Sequence, residues 1–216
     1  MDELSRSPYI PIDMENVATS APRGRPREFC VDAALAAALP VFWRKGFEGA
    51  SLSDLTEAMG ITRPSLYAAF GNKEALFRKA LNLYEREKLA YVSAALEAPT
   101  ARGVAERLLR GALDMQTSSC DPHGCMGVIS TVACTEQSET IKAEVLARRA
   151  SSDAALLRRF ERAEAEGELP EGLNAAGLAR YLITIMQGMA VQGGSGASRE
   201  DLELLVETSL QVWPTR

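Results

Sequence analysis

Two short helical patterns with almost nothing between them constrain the fold of this chain more than any other feature. Both lie in the run LTEAMGITRPSLYAAFGNKEALF, residues 55–77, where the first closes at Gly60 and the second opens after Ile61 and ends at Gly71. A helix of seven or eight residues is not stable alone in water, because its nucleation is unfavourable. A scaffold must therefore hold both helices, and the polar start of the second one is left to face outward.

Helical spacing of apolar residues continues along the chain, and no alternating strand pattern accompanies it. The first helix is predicted from Arg27 to Lys45, where Gly46 ends it, with a kink at Pro40 because an internal proline removes a backbone hydrogen bond. Ser51 and Ser53 offer N-caps for the second helix. Further helices are predicted over about 62–70, 73–96, 101–118, 124–136, 139–167, 174–192 and 199–213. The pattern predicts an all-α fold of about nine helices.

Composition excludes several classes of protein. The 216 residues are 46% hydrophobic, which suffices for a packed core, yet no apolar run reaches 18 residues and the start has no hydrophobic signal region. Four irregularly spaced cysteines indicate reduced thiols in a cytoplasmic protein. A single histidine, with no nucleophile elbow, phosphate loop or paired inward carboxylates, argues against an enzyme and against a cofactor.

Charge is unevenly distributed, although the net charge is −5. Residues 1–20 carry −3, residues 21–81 carry +3 and residues 82–216 carry −5. The single positive segment therefore contains the two short helices. A positive surface is where an electrostatic footprint for phosphates is expected.

The two short helices fit a helix-turn-helix, in which the first helix braces the second and the second enters the major groove of DNA. Leu55, Ala58 and Met59 are predicted to face inward from the brace, and Leu66 and Phe70 to anchor the second helix. Arginine reads guanine through two hydrogen bonds, and hydroxyl groups or a lysine at a helix start contact phosphates. On these grounds the predicted DNA-binding residues here are Ser51, Ser53, Thr62, Arg63, Pro64, Ser65, Tyr67 and Lys73. An ordinary helical corner without DNA remains the alternative.

The run from GRPREF through ALPVFWRKGFEGASLSDLTEAMGITRPSLYAAFGNKEALFRKAL, residues 24–81, closely resembles the DNA-binding domain of the TetR/AcrR family of bacterial transcriptional regulators. The resemblance implies a ligand-responsive repressor that dimerises on operator DNA. It divides the chain into an arm at 1–24, a DNA-binding domain at 25–72 and a ligand-binding and dimerisation domain at 73–216. It also implies that Arg23 and Arg25 of the arm reach into a neighbouring groove.

The predicted helix over 174–192 is apolar almost all round, and a helix of that kind must be buried on every side. The last predicted helix, over 199–213, supplies further apolar residues. A partner subunit is one source of cover, and the family resemblance implies a four-helix dimer interface in this place. Burial inside one subunit is the alternative. The predicted dimer residues are Leu178, Leu182, Ile185, Met186, Met189, Leu202, Leu205, Val206, Leu210 and Trp213.

The run SSCDPHGCMGVISTVACTE, residues 118–136, holds three of the four cysteines and the only histidine. It permits an apolar effector pocket, a reactive thiol at Cys125 near a helix start, or a weak metal site at Cys120, His123 and Cys125. The cysteines also suit the role of small buried hydrophobes. The predicted sensor residues are Tyr84, Met115, Cys125, Met126, Ile129, Val132 and Cys134.

The predicted function is a DNA-binding regulator, released from a palindromic operator when an effector shifts the 73–96 helix. A helical adaptor that binds only proteins is the alternative. An adaptor predicts no salt-dependent binding to duplex DNA.

Overall fold

The computed structural model describes residues 29–132 and 138–214, with the side chain of Val132 outside that description. These residues form helices and connecting loops, with no strand among them. The helices are α1 (Val31–Gly49), α2 (Leu52–Met59), α3 (Arg63–Phe70), α4 (Lys73–Lys88), α5 (Ala90–Leu96), α6 (Ala101–Gln116), α7 (Met126–Val132), α8 (Glu139–Ala165), α9 (Ala175–Gly194) and α10 (Arg199–Gln211). The all-α prediction is confirmed, with ten helices in place of about nine.

The first core surrounds α1, which packs against α2, α4 and α7. Phe77 of α4 receives two edge-to-face rings from α1, Phe42 at a centroid distance of 5.1 Å and Phe47 at 5.3 Å. Such aromatic pairs add about 0.5–1.5 kcal/mol beyond the area they bury. Within α1 the backbone leaves helical angles at Gly46, with φ of 66°, and not at Pro40 where a kink was predicted.

The predicted helix over 73–96 is interrupted at Leu89, whose φ of −103° and ψ of 9° separate α4 from α5. No glycine or proline marks this position in the sequence. The end of α4 is instead tied to the loop after α6, because Lys88 Nζ lies 2.8 Å from the Asp121 carboxylate. Tertiary contacts therefore accompany a break that local propensity does not encode.

The second core lies between α6, α8, α9 and α10, with α5 along its edge. The first core also takes in Met126, Ile141 and Val145 from α7 and α8, so it crosses the boundary predicted between residues 72 and 73. The helices of the body are therefore packed directly against those at the N-terminal end. Across the described ranges, no helix combines the length and apolar character needed to span a membrane.

Candidate nucleic-acid interface and internal cavity

The brace helix α2 is fixed at both ends by local chemistry. The Ser51 hydroxyl accepts from the Asp54 backbone N–H at 3.0 Å, and the Asp54 carboxylate accepts from the Ser51 backbone N–H at 2.9 Å. Lys45 Nζ lies 2.7 Å from the same carboxylate. The Lys45 contact, then the Ser51 hydrogen bonds, lower the pKa of Asp54 to about 2. Gly60 ends the helix with a left-handed φ of 64°.

Helix α3 presents its polar start to the surface, as predicted. Thr62 caps it by accepting from the Ser65 backbone N–H, and Pro64 lies in the first turn, where no N–H is needed. Leu66 and Phe70 are buried beneath it, as expected. Ala58 of α2 is exposed, so its predicted inward position was wrong.

The outward side chains of α3 include Arg63, Pro64 and Tyr67, and Tyr67 is 46% exposed. Arg63 Nη2 donates to the Ser53 hydroxyl on α2 at 2.8 Å. That contact links two predicted DNA-binding residues and leaves other guanidinium N–H groups to donate outward. Arg63 therefore lies at the exposed N-terminus of α3, and its hydrogen bond to α2 helps to orient its guanidinium group.

Lys73 opens α4 next to this surface. Its Nζ lies 4.5 Å from the centre of the Phe47 ring, a cation–π contact, and burial lowers its pKa while Glu48 opposes that change. The predicted groove-binding residues Arg23 and Arg25 lie outside the described residues. Sequence inspection missed Lys45, whose link to α2 was detectable only as a cation nine residues before Asp54.

A cavity of about 490 Å³ lies in the body, between α4, α5, α6, α8 and α9. Three predicted sensor residues, Tyr84, Met115 and Cys125, line it. Met126 and Ile129 do not: Met126 is fully buried in the first core, and Ile129 packs toward Gly46. Those two assignments were wrong because α7 turns that side toward α1. The side chain of Val132 and all of Cys134 lie outside the described residues.

Two tyrosines face Cys125 across the cavity wall. Burial is the largest cause that raises the pKa of Tyr84, and proximity to Cys125 adds to it. Burial followed by Cys125 raises the pKa of Tyr91 in the same direction. Both phenols therefore stay neutral at physiological pH. Tyr91 was not predicted as a site residue, because helical spacing shows only that it lies on the inner side of a helix and does not show that a cavity adjoins it.

The metal alternative required Cys120, His123 and Cys125 to converge. Within residues 29–132 and 138–214, no three histidine, cysteine or acidic side chains are grouped to hold a metal ion. His123 is exposed, and its Nε2 lies 3.0 Å from the Ser118 carbonyl oxygen. This loop therefore turns its histidine toward its own backbone.

One backbone group joins the cavity wall to the N-terminal helices. The indole N–H of Trp43 donates to the Gly124 carbonyl at 3.0 Å, and Gln116 Oε1 accepts from the Gly124 N–H at 2.7 Å. The Trp43 ring also packs edge-on against Tyr84, with centroids 4.7 Å apart. Trp43 thus contacts two parts of the cavity wall, since Gly124 immediately precedes Cys125.

The predicted dimer residues are mostly internal. Leu178, Leu182, Met189, Leu202, Val206, Leu210 and Trp213 are buried in the subunit, and Ile185, Met186 and Leu205 pack partly buried against the same core. The seven buried residues are covered inside one chain, by α6 and α8 over α9 and by α6 over α10, so assigning those seven to a partner was wrong. Ile185, Met186 and Leu205 remain predicted partner contacts. The exposed apolar side chains of these two helices are Tyr181, Val191 and, at 68% exposure, Leu204.

The arrangement of α1 to α4 and a hollow helical body defines the class: a helix-turn-helix protein with an internal cavity behind its DNA-binding unit. Residues 34–80 match the model of the bacterial regulatory proteins of the tetR family. The repressor ComR of Escherichia coli (strain K12) is 35% identical over 194 residues, covering 89% of this chain and 92% of ComR.

A solved structure and a second sequence relative support the same family. A cysteine mutant of the TetR family transcriptional regulator CifR, in complex with a 26-base-pair operator DNA, is 41% identical. The match covers 88% of this chain and 100% of that one, with a TM-score of 0.82. The regulator YezE of Bacillus subtilis (strain 168) is 30% identical over 194 residues, covering 88% of this chain and 98% of YezE. The chain belongs to the TetR family and is a DNA-binding transcriptional regulator.

Proposed function

We propose that the chain is a repressor that binds a palindromic operator as a homodimer and leaves it when an effector occupies the cavity. Its relatives ComR and BdcR of Escherichia coli (strain K12) are repressors, and BdcR is 49% identical over 61 residues. Arg63, Ser65, Tyr67 and Lys73 are the residues expected at the DNA. A regulator of this kind acts on cytoplasmic DNA and performs no catalysis of its own.

The single observation that carries effector control is the position of Trp43. It belongs to the core of the DNA-binding unit, yet it touches Tyr84, which lines the cavity, and donates to Gly124, which immediately precedes the cavity residue Cys125. An effector shifts a conformational equilibrium only by its different affinity for the two states. An occupant that displaces Tyr84 or the Gly124–Cys125 peptide changes what Trp43 contacts, and so changes the seating of α1.

This route replaces the single moving helix expected over 73–96. Since α4 ends at Lys88, the transmission has two parallel elements: α4 itself, through Tyr84, and the loop before α7, through Gly124. Both converge on Trp43 in α1. Packed cores switch between discrete arrangements because they deform poorly in a continuous manner.

The test replaces Trp43 with phenylalanine, which keeps an aromatic ring and removes the N–H. Trp213→Phe, in the second core, is the matched control. Operator affinity is measured by fluorescence anisotropy with and without each compound that raises Tm in a ligand screen. We expect Trp43→Phe to bind operator and to lose most of its release, while Trp213→Phe releases as wild type does. Equal release by both variants contradicts the route.

Reciprocity supplies a second measurement. A compound that weakens operator binding tenfold must itself bind operator-complexed protein tenfold more weakly, because the coupling free energy is shared. Calorimetric titration of free and operator-bound dimer measures both affinities. Identical ligand affinities with and without DNA contradict control through the cavity.

A thiol route is the second candidate, favoured because Cys125 lines the cavity beside Tyr84 and directly follows Gly124. An electrophile such as N-ethylmaleimide adds to Cys125, with a new bond from Sγ to carbon and the thiol proton passed to the adjacent carbon. The adduct occupies the cavity next to the Trp43 contact. Alkylation at limiting reagent with mass-spectrometric mapping should label Cys125 before the exposed Cys120.

The Cys125→Ser variant completes that test. We expect it to keep operator binding and to stay bound after treatment with N-ethylmaleimide. Labelling of Cys120 at an equal rate, or release of the serine variant, contradicts the thiol route and leaves control by a reversible apolar ligand.

Dimerisation is proposed through the outer sides of α9 and α10. Leu204 is 68% exposed and Val212 is 62% exposed. Thr208, which is also exposed, lies four residues from each of them, so all three share one side of the helix. Tyr181 and Val191 are the exposed apolar residues of α9. Two recognition helices about 34 Å apart, one turn of DNA, require such a pairing. A protein-binding adaptor would instead show no salt-dependent affinity for duplex DNA.

A further inference from the structure

The Tyr91 side chain of α5 packs directly against the backbone of α6. Its ring lies over Gly111 in the middle of α6, where an added Cβ would stand 2.2 Å from Tyr91 Cδ2 and 2.7 Å from Cε2. Glycine inside a helix is less stable than alanine by about 1 kcal/mol. The bare backbone at Gly111 is therefore explained by the ring that occupies the place of a side chain.

The Tyr91 hydroxyl is available inside the cavity. Among the described residues it makes no hydrogen bond, although its ring lines the cavity and lies close enough to Cys125 to interact with it. The second phenol differs, because Tyr84 contacts Met115 Sδ at 3.9 Å and the Met126 backbone. A ligand that fills the cavity would take this hydroxyl out of water, and an acceptor placed beside it would replace the lost hydrogen bond. Tyr91 is thus a donor that a ligand can use, and Ser93, Ser151 and Gln187 also line the cavity.

Opposite charges balance each other in the cavity wall. Arg148 donates to Asn82 Oδ1 at 2.6 Å, to Glu85 Oε2 at 2.7 Å and to Glu144 Oε1 at 2.9 Å. Arg149 makes no ion pair within 4 Å among the described residues, but its charge, like that of Arg180, opposes the rise that burial causes in the pKa of Asp153. An ionic ligand would disturb this balance and would lose its own hydration.

Most of the remaining wall is apolar, formed by leucine, valine, isoleucine and methionine side chains, and its uncharged polar members include Ser93, Gln116, Ser151, Ser152 and Gln187. A volume of about 490 Å³ lies in the usual range for sites that bind small molecules. Flexible methionines at Met115 and Met186 allow the wall to adapt to different shapes. Shape and wall chemistry therefore favour a mostly hydrocarbon molecule.

We infer that the cavity binds a neutral, largely apolar small molecule that carries one hydrogen-bond-accepting oxygen, and that Tyr91, seated on Gly111, donates to that oxygen. The inference rests on the proposed function, in which this cavity is the effector site. Tyr91 is a specificity-determining residue: it selects an acceptor-bearing ligand over a plain hydrocarbon of the same shape.

Four probes of closely similar size test it on the full-length dimer: 1-butyl-4-isopropylbenzene, para-butylacetophenone, para-butylbenzoate and para-butylbenzylamine. Affinities are measured by calorimetry. The ketone should bind about five- to tenfold tighter than the hydrocarbon, the effect of one hydrogen bond of about 1 kcal/mol. The benzoate and the amine should bind more weakly than the ketone.

Variants locate the effect. Tyr91→Phe should remove the preference for the ketone and leave the affinity for the hydrocarbon unchanged, while Tyr84→Phe should keep the preference. Gly111→Ala should also remove it, because the new methyl displaces the ring although the hydroxyl stays in the sequence. If Gly111→Ala does not fold, Tyr91→Phe decides alone.

Three results overturn the inference: tighter binding of either charged probe than of the ketone, no binding of the ketone at its solubility limit, or a Tyr91→Phe variant that keeps the preference. Operator anisotropy with each probe separates this from the proposed function. Binding that depends on Tyr91 without DNA release contradicts effector control alone. Release by compounds that ignore Tyr91 contradicts the ligand assignment alone.

Discussion

The candidate functional side chains of the DNA-binding unit point outward to solvent, whereas those of the helical body line an internal cavity. In α2 and α3, apolar residues such as Leu66 anchor the helices, and Arg63 and Tyr67 stand outside for a large partner. In the body, Tyr84 and Tyr91 point inward to a cavity closed by helices that are far apart in the sequence. The outer surface is thus set by neighbours along the chain, and the inner one by long-range packing.

That difference determines which changes each region tolerates. Side chains on the outer surface can change without loss of the fold, since they are exposed and touch few neighbours. A change at the cavity alters packing, because interiors are close-packed and a single methyl group is felt. Trp43 is the exception that belongs to both regions, so it is where the comparison is most sharply tested.

The largest expected effect comes from separating the two subunits. Leu204→Arg combined with Val212→Arg places charges at the two exposed apolar residues on the outer side and at the end of α10, and should yield monomers. Loss of the second DNA-binding unit should weaken operator binding by about a hundredfold or more. Sedimentation velocity and anisotropy measure the two effects.

Leu173→Arg is the matched control, since Leu173 is an exposed leucine outside α9 and α10. It should remain dimeric. A double arginine variant of α10 that stays dimeric would place the interface elsewhere. An unchanged Tm for the separated subunit would show that these two residues are not needed inside one chain.

The next effect belongs to Arg63 on the outer surface. Arg63→Ala should weaken binding to the operator by about 1–3 kcal/mol and relax preference at one base pair, if it donates twice to guanine. Ser53→Ala, which removes only the partner that receives Arg63 Nη2, should have a smaller effect. An Arg63→Ala protein with unchanged affinity and unchanged preference contradicts base contact.

Lys73 should behave differently from Arg63, because a phosphate contact carries no sequence information. Lys73→Ala should weaken binding to operator and unrelated duplex alike. The slope of log affinity against log salt should fall by about 1. Titrations at three salt concentrations measure it, and an effect confined to the operator would assign Lys73 to a base.

The smallest effect concerns the brace. Because the folded-state pKa of Asp54 is lowered to about 2 from its ordinary value of 3.8, its charge stabilises the fold above about pH 4. That stabilisation is lost as the pH falls from about 4 to about 2. Asp54→Asn should therefore lower Tm at neutral pH, and the difference from wild type should shrink as the pH falls through that interval. A Tm difference between the variant and wild type that stays constant with pH would show that the charge of Asp54 does not contribute to stability.

Much of the outer surface could be predicted from sequence. Thr62, Pro64, Gly60 and the Ser51–Asp54 pair obey capping rules that act within four residues, so both short helices and their exposed start are legible. Ala58 was misplaced because a small apolar residue fits either side of a helix. The Lys45–Asp54 contact was invisible, since it depends on how α1 crosses α2.

The cavity was harder to predict because its walls come from separate helices. Tyr84, Met115 and Cys125 were identified, but Met126 and Ile129 on α7 turn toward α1 instead. Helix periodicity finds an apolar side without saying what covers it. The same reason explains α9 and α10, whose apolar sides are covered within one subunit. A glycine at position 111, in the middle of a helix, is unexpected from sequence, and the structure explains it by the Tyr91 ring that occupies the place of its side chain.

One measurement tests the central claim, that the exposed start of α3 reads duplex DNA as part of a symmetric pair. The dimer is used to select from a random duplex library, and anisotropy compares the enriched sequence with a scrambled one at physiological salt. The account predicts a palindrome with half-site centres one helical turn, or a multiple of it, apart. The enriched sequence should bind about a thousandfold tighter or more. No enrichment, or equal affinity for both duplexes, would contradict it.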